Sequence, residues 1–334
     1  MKDFRKKGLK KLWWAAGLLT AATVFFFLTV WCVKEQRRAE ASKKIIMVSK
    51  IIDEKSDFWV QLYDGARMAA SEWGAQLEIV GAEKETDVDT QRHLVKQAVA
   101  QKPDAILLVP ASSTESGEMV ELIQENHIPM VLVDSDVDGE HHATLVATDN
   151  VEAGRLQGEY IAAMLEEGDQ IVIISHVKDS STAREREQGV RDGLGEFEKN
   201  IVEVVYCDSD YDKAYGLMNE LLQKYPGIDI VAGLNEYSAV GAARAIIDKG
   251  ADHRIQVVGF DSSIEEIKLL ERGLFEGIVI QNPYTMGYLA VEQSMRILNG
   301  EETARFVDSG SKLITRDEVH SEENQKVLFM FTED

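Results

Sequence analysis

The chain has 334 residues, of which 45% are hydrophobic and 28% charged, a composition typical of folded globular proteins of one or two domains. Two cysteines and five prolines exclude a disulfide-built or collagen-like scaffold. The formal net charge of −22 at pH 7 argues against general binding to nucleic-acid phosphates, so no nucleic-acid partner is expected.

The amino-terminal segment is basic and contains a long apolar run. Residues 1–44 hold eleven Lys or Arg but three Asp or Glu, so the rest of the chain is strongly acidic. Residues 12–33 carry no charge, and a helix of that length reaches roughly 33 Å, close to the ~30 Å hydrocarbon core of a bilayer. The positive-inside rule then predicts a cytoplasmic segment 1–11, a transmembrane signal anchor 12–33 and a linker 34–44, with the remainder extracytoplasmic.

Two other interpretations of this segment are less well supported. A cleaved signal peptide has an apolar region of about 7–15 residues, shorter than this one, and the small-x-small site at Ala39–Ala41 lies among charged residues. A lipoprotein would use Cys32, but the bulky Trp31 stands where a small residue is needed. We therefore expect an uncleaved, single-pass anchor in the cell membrane.

From residue 45 onward, short apolar runs alternate with helical patterns. The runs are mostly continuous Val, Ile and Leu, as expected for strands buried on both faces of a sheet. Ten of them are predicted strands: Ile45–Ser49, Leu77–Val80, Ala105–Val109, Met130–Val133, Thr144–Ala147, Ile171–Ser175, Val202–Tyr206, Ile228–Leu234, Gln256–Phe260 and Gly277–Gln281. Strands that alternate with helices predict an α/β fold with parallel sheets, and a division near residues 148–150 gives two lobes of five strands each.

Helical periodicity is clearest after the first strand and near the carboxyl end. Apolar or small residues from Phe58 to Trp73 recur on one helical face, so we expect Trp73 on the buried side of that helix. Pro283 fits the first turn of another helix, which runs to Leu298. The apolar patch at 327–331 is a candidate for a further short strand, which the sequence pattern places in neither lobe.

Several short segments in chain order resemble one family, and together they span residues 45–315. The segments are Asp57–Trp59 with Asp64–Ala66, Ile128–Asp134, Thr148–Asn150, Ala183–Gly189, Asn235–Glu236 with Gly241–Ala242, and Val257–Asp261. The family is the type I periplasmic sugar-binding proteins, such as ribose-binding protein. It also supplies the effector domain of lactose-repressor-like regulators.

The resemblance implies two Rossmann-like lobes with parallel sheets, joined by a three-segment hinge, with the ligand in the cleft between them. No cofactor or metal is expected. The implied crossings lie near Thr148/Asp149, Gln281/Asn282 and Gly310/Ser311. The implied lobes are 45–148 plus 282–310 for lobe one and 149–281 plus 311–334 for lobe two.

Polar and aromatic residues that follow predicted strands are candidates for this cleft. Sugar hydroxyls need directional donors and acceptors, and sugar C–H faces need flat apolar surfaces. In open α/β sheets, ligands bind at the carboxyl ends of the strands. The candidates at such places are Phe58, Trp59, Asp134, Asn235, Asp261 and Gln281. Core packing of the two aromatic residues and helix capping by the two aspartates are the alternatives.

The resemblance adds further candidates to this set. Arg186 corresponds to the family's ligand-binding arginine, and Tyr211 to an aromatic residue that stacks on the sugar, whereas Arg184 is expected to be a structural charge. For both arginines the alternative is a solvated helix face. Ser135 stands where ribose-binding protein has an arginine, directly after Asp134, and is included for that reason. This departure leaves the choice open between ribose, another pentose, a hexose and a related polyol.

Enzyme motifs are missing from the sequence. It has no phosphate-binding G-x-x-x-x-G-K-[ST] loop, no G-x-S-x-G elbow and no Cys-x-x-Cys pair. His141 and His142 are adjacent and cannot converge on one metal ion. A DNA-binding regulator would need a headpiece where the membrane span is predicted. Two partners remain open: an ABC permease that receives the sugar, and a membrane sensor such as a histidine kinase that responds to it.

Overall fold

The computed structural model describes residues 42–139, 141 and 143–328, and the fold concerns the unit that begins at Lys44. The predicted cytoplasmic segment, the transmembrane span at 12–33 and nearly all of the linker lie outside the described residues. Among the residues that are described, no helix combines the length and apolarity needed to cross a membrane.

The first sheet has six strands, all parallel, in the order β11-β5-β4-β3-β1-β2. Its strands are β1 (Lys44–Ser49), β2 (Gln76–Gly81), β3 (Ala105–Leu108), β4 (Met130–Val133), β5 (Thr144–Ala147) and β11 (Phe306–Asp308). The second sheet repeats this order as β12-β10-β9-β8-β6-β7, with β12 antiparallel to β10. Its strands are β6 (Gln170–Ser175), β7 (Ile201–Tyr206), β8 (Ile228–Gly233), β9 (Gln256–Phe260), β10 (Phe275–Gln281) and β12 (Ser311–Thr315).

Helices cover both faces of each sheet, as the continuous apolar strands require. The first lobe consists of the first sheet with α1 (Asp57–Trp73), α2 (Val88–Ala100), α3 (Gly117–Glu125) and α9 (Pro283–Leu298). The second lobe consists of the second sheet with α4 (Asn150–Met164), α5 (Ser181–Leu194), α6 (Tyr211–Lys224), α7 (Glu236–Asp248), α8 (Ile264–Arg272) and α10 (Glu322–Leu328). A short 3-10 helix at Gly195–Asn200 precedes β7.

Within the described residues the chain passes between the lobes at three places, namely 148–149, 282 and 309–310. Side chains tie these connections together. Thr148 Oγ1 donates to Gln281 Oε1 at 2.8 Å and lies 3.3 Å from Ser309 Oγ. Asn282 Nδ2 donates to the carbonyl oxygen of Ser309 at 3.1 Å. The three connections of the hinge are therefore hydrogen-bonded to one another.

Two expectations about local structure are wrong. Trp73 is 37% exposed, because the buried face of α1 ends one turn earlier at Ala70. The apolar patch expected as a strand begins inside α10, which contains Val327 and Leu328. Two acidic residues in its first turn favour a helix by complementing the helix dipole. The rest of that patch lies outside the described residues.

Candidate functional site

A cavity lies between the two lobes, at the carboxyl ends of the strands of both sheets. Both lobes and the hinge contribute to its wall. The lining residues are Lys50, Ser56, Phe58, Trp59, Glu85, Asp134, His176, Thr182, Arg186, Asn235, Tyr237, Asp261 and Gln281. Four of them, Lys50, Asp134, His176 and Asp261, follow directly on a strand, and Gln281 is the last residue of another. The carboxyl ends of strands are where ligands bind in open α/β sheets.

Hydrogen bonds between the lobes close this cavity. Ser209 Oγ in the second lobe donates to Glu85 Oε2 at 2.9 Å, and the Tyr237 hydroxyl donates to Asp53 Oδ2 at 2.6 Å. On another side, the amide of Asp136 donates to Ser181 Oγ at 2.8 Å. The structure is therefore the closed form of the two lobes, in which a bound molecule would be enclosed.

Three aromatic residues give the cavity its flat apolar surfaces. Phe58 and Trp59 form an edge-to-face pair with ring centroids 4.9 Å apart and an interplanar angle of 87°. Trp59 is 3% exposed and also stacks on Tyr63 at 6.1 Å, so its ring is held firmly. Tyr237 contributes from the first turn of α7. Although Trp59 belongs to the core, both it and Phe58 reach the cavity wall.

Lys50 and Asp134 form a buried ion pair at the cavity wall, with Lys50 Nζ 2.8 Å from Asp134 Oδ2. The same ammonium donates to Ser135 Oγ at 3.1 Å, and the Ser135 hydroxyl donates to Asp134 Oδ2 at 2.8 Å. Burial would raise the pKa of Asp134, but the charge and hydrogen bond of Lys50 hold that pKa below its usual value. Ser135 lacks the positive charge of the arginine that ribose-binding protein has at this position. The Lys50 ammonium supplies a positive charge directly beside Ser135.

Arg186 is buried in the second lobe and fixed by several contacts. Its Nε donates to Asn150 Oδ1 and its Nη1 to the carbonyl oxygen of Leu234, both at 2.8 Å. Its guanidinium carbon lies 3.9 Å from the centroid of the Phe260 ring. Burial lowers the pKa of Arg186, while Asp261 and Asp134 raise it, and an arginine stays charged in any such setting. Among the described residues no hydrogen-bond partner is found for Nη2, which can reach a ligand.

Asp261 and Gln281 are bonded to each other at the hinge side of the cavity. Gln281 Nε2 donates to Asp261 Oδ1 at 2.6 Å, and the amide of Glu236 donates to Asp261 Oδ2 at 2.9 Å. Burial raises the pKa of Asp261, partly offset by the charge of Arg186. The helix that follows Asp261, α8, is capped by Ser263. The alternative that Asp261 serves as the N-cap of α8 is therefore wrong.

The two aspartates occupy equivalent places in the two lobes. Asp134 follows β4 and its amide donates to Val146 in β5, whereas Asp261 follows β9 and its amide donates to Val279 in β10. Both have positive φ, 64° and 85°, a region that is costly for a residue with a Cβ. A backbone conformation of this cost persists only where the surrounding structure holds the residue in place. With this conformation, both aspartates lie at the cavity wall.

The structure does not bring every sequence candidate to the cavity wall. Tyr211 lies behind Tyr237, with ring centroids 4.7 Å apart, and its hydroxyl donates to Glu236 Oε1 at 2.5 Å. Ser135 is buried behind Asp134. Asn235 does line the cavity, but its side-chain oxygen caps α7 by accepting from the amide of Ser238 at 3.0 Å. The remaining sequence candidates line the cavity directly.

Six lining residues are not among the site candidates from the sequence: Lys50, Ser56, Glu85, His176, Thr182 and Tyr237. Lys50 and His176 directly follow β1 and β6. They would have been found in the sequence if every residue that directly follows a predicted strand had been taken as a candidate, whatever its type. His176 is buried, and burial together with the charges of Arg186 and Lys50 holds its pKa well below the usual value. The imidazole is therefore neutral, and it lies 2.8 Å from Thr182 Oγ1.

The cavity is polar and charged but contains no arrangement suited to metal binding. Two cations, Lys50 and Arg186, face three acidic side chains, Glu85, Asp134 and Asp261. Within the residues that the structure describes, no cluster of three His, Cys, Asp or Glu side chains could hold a metal ion. The wall therefore offers directional donors and acceptors together with aromatic faces.

A family model described as the periplasmic binding protein domain matches residues 48–302. The chain belongs to the periplasmic binding proteins. The ribose import binding protein of Bacillus subtilis (strain 168) is 30% identical over 259 residues, which cover 78% of this chain and 83% of that protein. The resemblance to type I periplasmic sugar-binding proteins is thereby confirmed. The family and this relative are named as binding proteins, not as enzymes.

Two solved structures agree with this assignment. A sugar transporter from Clostridium phytofermentans is 40% identical, with a TM-score of 0.79 over 82% of this chain and 99% of that chain. A carbohydrate transporter solute-binding protein from Agrobacterium radiobacter, solved with D-arabinose, is 28% identical, with a TM-score of 0.81 over 86% of this chain and 99% of that chain. The α/β fold with two mainly parallel sheets is that of the type I proteins.

Proposed function

We propose that the protein captures one neutral monosaccharide in the cavity between its lobes. The observation that carries this proposal is the composition of the wall, where the aromatic pair Phe58–Trp59 lies beside buried charged donors and acceptors. Aromatic faces pack against sugar C–H groups, and charged groups make the stronger hydrogen bonds to hydroxyls. Relatives named for ribose import and solved with D-arabinose support a sugar of this size.

The charges of the cavity favour a neutral ligand over a sugar phosphate or a sugar acid. Three acidic side chains already share the site with two cations. A further anion enclosed here would be desolvated beside carboxylates, which is costly unless it is paired. Direct contacts are proposed for Phe58, Trp59, Asp134, Arg186, Asn235, Asp261 and Gln281. Ser135 and Tyr211 are proposed to make no direct contact with the sugar. Ser135 positions Asp134, and Tyr211 positions Tyr237.

A binding panel tests this proposal. The full chain in mild detergent is titrated calorimetrically with D-ribose, D-allose, D-arabinose, D-xylose and D-galactose, and with ribose 5-phosphate and D-glucuronate. We expect one-to-one binding of at least one neutral sugar and no binding of the two anionic compounds. A folded protein that binds none of the neutral sugars, or prefers the anions, would contradict the proposal.

The proposed place of action is the outer face of the cell membrane, with the sugar delivered to an ABC permease. This rests on the uncharged run at 12–33, on its basic flank and on the relatives that are named as import or transporter proteins. Carbonate extraction of membranes should leave the protein in the pellet. Recovery in the supernatant of a chain that begins near Ser42 would contradict the anchor.

A further inference from the structure

Two glutamates of the second lobe lie at the interface between the lobes, and neither lines the cavity. Glu236, at the start of α7, accepts from Ser56 Oγ of the first lobe at 3.0 Å. Glu185 lies one turn after Ser181, the first residue of α5, whose hydroxyl accepts from the amide of Asp136 in the first lobe at 2.8 Å. The two glutamates therefore belong to two separate contacts between the lobes.

Each glutamate is close to an aspartate of the first lobe when the lobes are closed. Asp57 begins α1, and its Oδ2 accepts from the amide of Ile264 in the second lobe at 3.2 Å. The charge of Asp57 acts on Glu236, and the charge of Asp136 acts on Glu185. Closure therefore brings like charges together at sites that are partly or wholly buried, where two ionised carboxylates repel each other strongly.

Glu236 also has acidic neighbours within its own lobe. Asp261 after β9 and Glu266 on α8 add negative charge, while the hydroxyl of Tyr211 on α6 donates a hydrogen bond. Burial, with the charges of Asp261 and Asp57, raises the pKa of Glu236 to about 7. Since Asp261, Glu266 and Tyr211 stay beside Glu236 in the open form, closure controls the part of this rise that the first lobe causes.

Glu185 has cations beside it, but its protonated form is favoured as well. Arg184 and Arg186 are its neighbours on α5, and Asn150 of α4 donates a hydrogen bond to its carboxylate. Burial, with the charge of Asp136, nevertheless raises the pKa of Glu185 to about 7. Two glutamates at separate lobe contacts thus gain protons under the same conditions.

We propose that closure of the lobes is coupled to protonation of Glu185 and Glu236, so that the protein binds its sugar more tightly as the pH falls from 8.5 to 6.5. Opening moves each glutamate away from its aspartate and into water, where it ionises and releases a proton to the solvent. Closing takes these protons up again, because a neutral sugar brings no positive charge to balance the carboxylates. This inference rests on the proposed sugar-binding function.

The direction of the effect follows from the protons that each form holds. Near neutral pH the closed form holds more protons at the two glutamates than the open form, so a fall in pH favours closure. His176 acts in the opposite direction, because burial and nearby cations keep the closed-form imidazole neutral by lowering its pKa. A histidine exposed by opening is protonated below a pH of about 6.5, so the test stays at or above that pH.

The test is isothermal titration calorimetry of the full chain at pH 6.5, 7.0 and 8.5, with the panel sugar that binds most tightly. Each titration is repeated in buffers of different ionisation enthalpy, which gives the number of protons taken up per sugar bound. We expect wild type to take up about 0.3 to 1 proton at pH 7.0. Its affinity should be about 3- to 15-fold higher at pH 6.5 than at pH 8.5.

Glu185→Gln and Glu236→Gln replace the two carboxylates by neutral amides of the same shape. Each variant should take up fewer protons than wild type and show a smaller change of affinity with pH, and the double variant should show the smallest. All three should bind at pH 8.5 at least as tightly as wild type. Glu220→Gln, at an exposed position of α6, is the matched control and should behave as wild type.

The outcomes separate two failures. If wild type and the double variant take up the same number of protons and change affinity with pH by the same factor, the inference is overturned. If no panel sugar binds to wild type at any of the three pH values, the proposed function itself fails. Should the double variant not fold, as judged by thermal unfolding, the single variants decide by the same comparison with wild type.

Discussion

Ser56 Oγ donates a hydrogen bond of 3.0 Å to Glu236 Oε2 and thereby joins the amino end of α1 in the first lobe to the amino end of α7 in the second. Glu236 also accepts from the hydroxyl of Tyr211. Burial, with the charge of Asp261, raises the pKa of Glu236 to about 7 despite these hydrogen bonds. A single carboxyl group that bridges the lobes is therefore half protonated near neutral pH.

This carboxyl group makes stability depend on pH. Its pKa is 4.5 when unperturbed and about 7 in the fold, so the folded state holds more protons between these values. The free energy of unfolding should then decrease as the pH rises from 4.5 to 7 and level off above it. Glu236→Gln should remove roughly 1–3 kcal/mol of this decrease, measured by urea unfolding between pH 5 and pH 8.

The control for this experiment is Asp212→Asn, at an exposed carboxylate on α6. It should leave the pH profile unchanged. Part of the decrease should persist in Glu236→Gln, because burial raises the pKa of Glu185 to about 7 as well. Identical profiles for wild type and Glu236→Gln would show that the pKa of Glu236 is not raised.

Arg186 should contribute far more to binding than its neighbour Arg184. Arg186→Ala removes a charged donor from the closed cavity and should weaken sugar binding by about 2–4 kcal/mol. Arg184 is exposed and pairs with Asp138 at 2.7 Å, so Arg184→Ala should cost about 1 kcal/mol or less. Calorimetry of both variants with the same sugar measures the difference, and equal losses would remove Arg186 from the binding site.

Close helix packing holds Arg186 in position. A Cβ at Gly154 of α4 would lie 2.3 Å from the carbonyl oxygen of Arg186 in α5, so the two helices must separate in Gly154→Ala. We expect a loss of about 1–3 kcal/mol in stability, with weaker sugar binding. At Gly216, within α6, a Cβ would meet nothing within 4 Å, so Gly216→Ala should be neutral or stabilise by about 0.5–1 kcal/mol. Thermal unfolding that shows the reverse order would contradict this packing.

Tryptophan fluorescence should report binding through Trp59. This ring is 3% exposed and lines the cavity, whereas Trp73 is 37% exposed at the end of α1. A sugar that packs against Trp59 should change the emission of the full chain, and Trp59→Phe should abolish most of that change. Trp59→Phe should weaken binding only modestly, since a ring remains, while Trp59→Ala should weaken it much more. A fluorescence change that persists in Trp59→Phe but disappears in Trp73→Phe would show that Trp73, and not Trp59, reports binding, which contradicts the proposed site.

The strands were predictable because a parallel sheet covered on both faces demands continuous apolar runs, and all ten predicted strands are present. The sequence did not reveal β11 or β12, which are edge strands. β11 has three residues, and two of them, Phe306 and Asp308, are exposed, so it shows no burial pattern. Only Ile314 is fully buried in β12. Short edge strands are defined by their neighbours in the sheet, not by their own residues.

The candidate site was predictable in part. Asp134, Asp261 and Gln281 could be identified because they end strands whose carboxyl ends share one edge of a sheet. Lys50 ends a strand as well, but a lysine is ordinarily solvent-exposed, and only the tertiary structure brings Asp134 beside it. Tyr211 and Tyr237 are both tyrosines at helix starts, and which ring faces the cavity depends on how α6 and α7 pack.

A crystal structure of the protein with its sugar tests the central claim most directly. We expect the two lobes to be closed on one sugar, with Arg186 Nη2 and the carboxylates of Asp134 and Asp261 within hydrogen-bond distance of its hydroxyls. The sugar should pack against Phe58 and Trp59. A sugar bound outside the cavity between the lobes, or one that touches none of these five side chains, would contradict the account.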